Sequence, residues 1–176
     1  MDDCSEGINF NFEECKSYDV HKFNSRSLSK DKNFLIVSQN IRSFSKNIEL
    51  FILFIDSLVL KPKIIVLTET WFSKNNFHNI RGFIGYHSFR EERIGGGVSI
   101  FVNENFHSEA LLNFNINCDF LEMCGVSVKI SDKIVLNVLG FYRPPNGNLD
   151  LFFEKMTNLL ENFPQIKTKN IKYIFV

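Results

Sequence analysis

Two strand-length runs, EMCGVSVKI at 122–130 and KIVLNVLGFY at 133–142, follow one another with almost no chain between them. So short a link can only fold the chain back on itself, which predicts an antiparallel hairpin. In the first run Cys124, Val126, Val128 and Ile130 fall on one side, the period-two pattern of a sheet with one covered face. Upstream, short apolar runs interleave with helical stretches. FLIVSQNI (34–41), KIIVLTET (63–70) and GGGVSIFV (95–102) read as strands, the first two as buried ones. SKNIELFILFIDSLVL (45–60) reads as a helix. Ser45 can cap it, Glu49 suits its positive end and Pro62 stops it. Its polar positions Lys46, Glu49 and Asp56 share a face, and the remainder is expected to be covered.

After the hairpin, Leu149, Phe152, Phe153, Met156, Leu159, Leu160 and Phe163 fall on one stripe of a helix over 148–163, with Asn148 as cap and Pro164 as stop. A last strand is expected at 171–176. Strands interleaved with helices, plus one hairpin, indicate an α/β or α+β domain with mixed sheets. Residues 1–32 are polar and aperiodic and are expected to be a loosely ordered or disordered lead-in, leaving 33–176 as one folded unit. The 176 residues suffice for one domain with a substantial core, and the 20 phenylalanines predict that the core is rich in rings.

Bulk chemistry excludes little. Formal charge balances at 20 bases against 20 acids, so any polyanionic partner must be met by a local patch. Cys4, Cys15, Cys118 and Cys124 have no zinc-finger spacing and read as reduced thiols of an intracellular protein. The acidic start, MDDCSEGINF, is unlike a secretion signal. The longest apolar run, LFILFI at 50–55, stops at Asp56 and is too short to span a bilayer. No membrane association is expected.

Four segments could carry chemistry. Glu69 ends an Ile/Val-rich strand, where burial within the strand would be costly but the strand's end can open on a cleft. A carboxylate there suits Mg²⁺, which takes one or two protein carboxylates and leaves its other positions to water and phosphate; equally, Glu69 could be a solvated strand terminus. Asn40 ends the first strand, where its amide could orient a carboxylate or could simply close a turn. In GFYRPPNGN (140–148), two prolines stiffen the exit of a strand. They could hold Tyr142 and Arg143 as donors to a phosphoryl oxygen, or form a plain rigid connector. The GGG at 95–97 lacks the Walker pattern and precedes a strand, so it reads as backbone flexibility or close packing rather than a phosphate cradle. Arg90 and Arg93, interrupted by Glu91 and Glu92, read as a solvated loop. His21, His78, His87 and His107 lack metal-ligand spacing and read as surface or loop residues.

Taken together and in order, QNIRS, LTETW, GGGVSIFV and GFYRPPN resemble the endonuclease/exonuclease/phosphatase superfamily, and most closely the apurinic-like endonuclease domain of non-LTR (LINE-type) retrotransposons. The resemblance covers about residues 34–176. It implies two mixed β-sheets packed as a sandwich with helices outside, and a Mg²⁺-dependent (alternatively Mn²⁺-dependent) phosphodiesterase that nicks DNA in the nucleus or cytoplasm. It implies Asn40 as organiser of metal and substrate, Glu69 as metal ligand, Tyr142 as a contact of the scissile phosphate and Arg143 as a substrate-binding residue. Where many cellular members carry an Asp, this chain has Arg42, as retroelement members often do.

The family continues past such a final strand into Gly-Asp-x-Asn and, later, Ser-Asp-His. The sequence ends at Val176, before either. The expectation is therefore a C-terminally truncated fragment with an incomplete second sheet. It would retain little or no nicking, because losing members of a catalytic unit is non-additive. An exposed sheet edge near 173–176 would favour self-association. The competing readings are another phosphoesterase of the superfamily, acting on a lipid or inositol phosphate, and a non-enzymatic interaction module.

Overall fold

Ile64, Ile65, Val66 and Leu67 are each fully buried, which places β2 (Ile64–Thr68) at the centre of a sheet. In the computed structural model, which describes residues 16–27, 34–90, 95–161 and 171–176, β1 (Ile36–Asn40) pairs parallel to β2 on one side. On the other side β4 (Val98–Asn103) pairs antiparallel to it, and β3 (Phe83–Ser88) closes the sheet beyond β4. The parallel pair needs a crossover, which α2 (Phe44–Ser57) supplies.

The second sheet is built on the expected hairpin of β7 (Leu121–Ser131) and β8 (Ile134–Tyr142), whose register runs from Glu122 opposite Tyr142 to Ser131 opposite Ile134. A β5 strand (His107–Ala110) and a short β6 (Ile116–Cys118) pair with β7, while β9 (Ile171–Phe175) lies parallel to β8 at the far edge. Two helices complete the described chain, α1 (Val20–Ser27) and α3 (Leu149–Glu161). The result is an α+β sandwich of two mixed sheets.

Strand alternation sorts the core into two layers. Ile64, Val66, Val98, Ile100 and Val102 meet Cys124, Val126, Val128, Leu136 and Val138 between the sheets. Ile65, Leu67 and Phe101 face the other way, against Phe44, Phe51, Ile55 and Leu58 of the α2 region. The aromatic prior holds here: Phe44 lies 4.8 Å from Phe72 and 6.0 Å from Phe101, ring centre to ring centre. At one end the sheets come especially close, because a Cβ on Gly140 would sit 2.7 Å from Val66 Cγ1. That lack of a side chain matters for the site below.

Several expectations need correction. The segment 20–27 is helical: the Lys22 N–H bonds Asp19 Oδ1 (2.7 Å), a side-chain cap on the third helical residue. Phe23 packs on the core, and Asn24 brackets the end of α2 through Ser57 O (2.8 Å) and the Val59 N–H (2.9 Å). Residues 1–15 and 28–32 of the expected lead-in, Pro164, Phe163, Glu91, Glu92 and Arg93 lie outside the described residues, and so do Cys4 and Cys15. β1 is a half-exposed edge and not a buried strand. β3, β5 and β6 were not anticipated. Ser45 does not cap α2; Asn47 Nδ2 instead donates to the Ile41 and Arg42 carbonyls (2.8 and 2.9 Å) and pins the entry turn. The apolar side of α2 is not fully covered, since Leu50 and Leu53 remain 69% and 65% exposed. In α3 only Phe152, Met156 and Leu159 of the expected stripe are half-buried. No described helix is long and apolar enough to cross a membrane.

Candidate active site

The segment after β2 is held open by its neighbours. Glu69 and Trp71 both take left-handed backbone angles, φ 56° and 60°, a region that costs a bulky L-residue free energy. On one side the turn after β1 bonds this segment, Ser43 N–H to Glu69 O (2.8 Å) and Phe44 N–H to Thr70 O (3.0 Å). Arg42 and Ser43 in that turn are left-handed as well, φ 46° and 84°. On the other side the Trp71 N–H donates to Gly96 O (2.9 Å) and the Thr70 N–H to Gly97 O (3.3 Å). The departure from extended geometry turns the Glu69 side chain toward the second sheet.

There it meets Tyr142. The side chains on β8 that face the first sheet are Leu136, Val138 and, two and four residues on, positions 140 and 142. Because position 140 is glycine, the sheets converge just where the phenol of Tyr142 reaches Glu69. Glu69 Oε2 also accepts from Trp71 Nε1 (2.7 Å) and from the Gly96 N–H (3.2 Å). Burial on its own raises the Glu69 pKa. The hydrogen bonds from Tyr142, Trp71 and Gly96, with the charge of Arg90, outweigh it and hold the carboxyl below its usual range. Tyr142 moves the opposite way. Burial, the hydrogen bond to Glu69 and the charges of Glu69 and Glu122 push it up to about 12, so at neutral pH it is a phenol that donates.

Asn40 is the register partner of Thr68 and shares the inter-sheet face with Ile36, at the same end of the first sheet as Glu69. Its Oδ1 accepts the Arg42 N–H (3.2 Å), as an amide closing a turn does. Arg143 points elsewhere: its Nη1 reaches the carbonyls of Pro144, Pro145 and Gly147 (3.2, 3.5 and 3.3 Å) and closes its own loop. The structure therefore joins Glu69 to Tyr142, sets Asn40 nearby, and folds Arg143 back on the prolines.

Two residues that the sequence reading passed over complete the network. Glu122 is 0% exposed. Its Oε2 accepts the Gly97 N–H and its Oε1 pairs with Arg90 Nη2, each at 2.5 Å. Burial raises the Glu122 pKa, opposed by Gly97 and Arg90 and reinforced by Glu69. Arg90, expected in a solvated loop, has a side chain only 19% exposed and is a buried counter-ion. The signal was present. Counting back by two from Cys124 puts Glu122 on the covered face, beside Tyr142 across the hairpin. The glycine run is close packing, as expected: a Cβ on Gly96 would lie 2.5 Å from Glu122 Oε1, and one on Gly97 would lie 2.7 Å from Thr70 Oγ1. His87 is not a surface residue. It sits on β3 among Phe72, Phe77, Phe89 and Phe101, away from this network.

An ionised carboxylate tied to fixed donors, with a neutral phenol hydrogen-bonded to it, can hold a divalent cation against a phosphate. Among the described residues no three His, Cys, Asp or Glu side chains cluster as a metal cage. The described residues thus fit a hard cation that keeps most of its positions for water and phosphate.

Solved structures share this architecture. The 3′ phosphatase NExo from Neisseria bound to a product DNA hairpin matches 80% of this chain and 55% of its own length, with a TM-score of 0.52 at 14% identity. The endonuclease domain of TRAS1, a telomere-specific non-LTR retrotransposon, matches 81% of this chain and 58% of its own length, with 0.51 at 10% identity. The chain has the endonuclease/exonuclease/phosphatase fold. TDP2 from D. rerio, complexed with a single-strand DNA product, is similar again, with 0.50 at 12% identity over 80% of this chain and 58% of its own. The chain spans just over half the length of these three solved structures. No family model matches the sequence, and no curated protein matches it significantly. Within the endonuclease/exonuclease/phosphatase fold, Glu69 and Tyr142 bring the two sheets together at one end of the sandwich.

Proposed function

We propose that this site belongs to a divalent-metal-dependent phosphodiesterase acting on DNA, and that the described residues supply its cation- and phosphate-binding part. The observation that carries the reading is the Glu69 carboxylate: ionised, aimed between the sheets, and bonded by Trp71, Gly96 and Tyr142 at once. Neighbours of the same fold include DNA complexes and a retrotransposon endonuclease domain, which supports DNA as substrate and target-site nicking as the parent activity.

In this reading Glu69 holds Mg²⁺, with Mn²⁺ as a substitute. The cation, when bound, neutralises phosphate charge and stabilises the developing oxyanion. Trp71 and Gly96 fix the carboxylate so that no reorganisation is needed when substrate arrives. Tyr142, neutral at working pH, donates to the carboxylate and is placed to share that proton with a phosphate oxygen. Asn40 stands at the rim, where its amide can meet the same phosphate. Arg143 stiffens the loop that carries Tyr142. Glu122 is committed to Arg90 and Gly97, which leaves it a supporting role.

Mn²⁺ binding followed by electron paramagnetic resonance, with wild type and Glu69→Gln, tests the metal assignment. Binding should disappear in the variant while its circular dichroism is kept. Mn²⁺ bound equally by Glu69→Gln would remove the reading.

A further inference from the structure

We propose that Trp71 is a stacking platform for an unpaired nucleobase, so that this site prefers single-stranded or locally opened DNA to a closed duplex. The proposal rests on the phosphodiesterase reading of Glu69 and names the form of substrate.

Three observations meet on this ring. Its backbone is left-handed at φ 60°, a strain of about 1–3 kcal/mol for a bulky residue, and such strain collects at functional positions. Its orientation is fixed, because turning the indole would break the 2.7 Å bond from Nε1 to Glu69 Oε2. Yet the residue stays 39% exposed, with Lys46 Nζ 5.7 Å from the ring centre. A ring that only oriented the carboxylate could do so from under cover. A rigid, part-exposed indole beside an ionised carboxylate, with the Lys46 ammonium over its ring, puts a π-system and a positive charge within one nucleotide of the proposed phosphate position. Stacking of a base on such a face tightens binding by about tenfold. Paired bases already stack on one another, so the face is usable only by a base outside a duplex.

Trp71 is the only tryptophan in the chain, so intrinsic fluorescence reports on this ring alone. The whole chain is titrated in EDTA with a mixed-sequence oligodeoxynucleotide of about ten nucleotides, near the site sizes of single-strand binders. The same sequence as a blunt duplex and heparin, a polyanion without bases, form the other arms. The single strand is expected to quench emission saturably, the duplex to require at least about tenfold more, and heparin to leave emission unchanged; tenfold corresponds to about 1.4 kcal/mol. Anisotropy of the labelled strand should show Trp71→Leu weakened about tenfold and Trp71→Phe, which keeps a ring, within about threefold of wild type. Heparin affinity should be the same in all three. If Trp71→Leu does not fold, quenching in the wild-type chain and the Trp71→Phe affinity still decide. Equal quenching by heparin, strand binding without quenching, or a Trp71→Leu affinity equal to wild type would each overturn the platform. Quenching without Mn²⁺ binding at Glu69 would sink the phosphodiesterase reading and spare the platform; Mn²⁺ binding lost in Glu69→Gln, without quenching, would do the reverse.

Discussion

His87 shows how far surroundings can set the chemistry of one side chain. Its Nδ1 shares a 2.9 Å hydrogen bond with Ser99 Oγ, and its Nε2 is buried with no hydrogen-bond partner among the described residues. Burial lowers its pKa to about 4, so the imidazole is neutral through the physiological range. A folded-state value below the unfolded one means stability that is complete above pH 6.5 and lost as the pH falls toward 4. The loss should reach about 2–3 kcal/mol. Urea midpoints measured at steps from pH 7 to pH 4 should fall more steeply for wild type than for His87→Phe. That variant keeps the ring contacts but cannot titrate. The Glu69 carboxyl has a lowered pKa, so its contribution is present above its ordinary value of 4.5 and vanishes as pH falls through the folded value. Tyr142→Phe removes one of its donors. Mn²⁺ affinity in the variant should then begin to fall with acidification at a higher pH than in wild type, with a stability cost of about 1 kcal/mol at pH 7.

At the scale of elements, the glycine run before β4 is where sequence freedom is least. Gly96 has φ 71° and its missing Cβ leaves the space that the Glu122 carboxylate fills. Gly96→Ala should cost upward of about 2 kcal/mol by adding strain to a clash, and should lower Mn²⁺ affinity because the donor to Glu69 moves. Thermal denaturation and the resonance titration read both effects.

The neighbouring strands show what was legible. β2, β4, β7 and β8 announce themselves by β-branched runs and alternation, and Asn148 caps α3 as expected, through bonds of 2.9 and 3.1 Å to the Asp150 and Leu151 N–H groups. β5 reads HSEA, β6 has three residues, and β3 carries a glycine at position 85. β3 and β5 pair with strands ten or more residues away, and β6, though joined to β7 by a two-residue turn, is too short to show a period. The same holds for the site. Glu69 and Tyr142 stood out by position at strand ends. The Arg90–Glu122 pair required knowing that a loop from one sheet reaches a strand in the other.

Across the molecule, that pair is a clamp between the layers. Glu122 belongs to the second sheet, while Arg90 and Gly97 flank strands of the first. Removing one partner of a buried ion pair costs about 3–5 kcal/mol, whereas replacing both costs far less. Arg90→Met and Glu122→Gln should each destabilise strongly in urea unfolding, and the double variant by clearly less than the sum. Because burial raises the Glu122 pKa, ionised Glu122 weighs against folding as pH rises above 4.5. The Arg90→Met penalty should therefore be larger at pH 8 than at pH 5.

Among the described residues four non-glycines are left-handed, Arg42, Ser43, Glu69 and Trp71, and all stand at one rim of the sandwich. Laboratory selection of this protein for heat tolerance alone should accumulate glycine at 42 and 43 early, each adding about 1 kcal/mol by releasing the misfit of its side chain. Such clones would melt about 4–8 °C higher and, if Glu69 is the metal ligand proposed, hold Mn²⁺ less firmly, because the turn that braces Glu69 would have slackened.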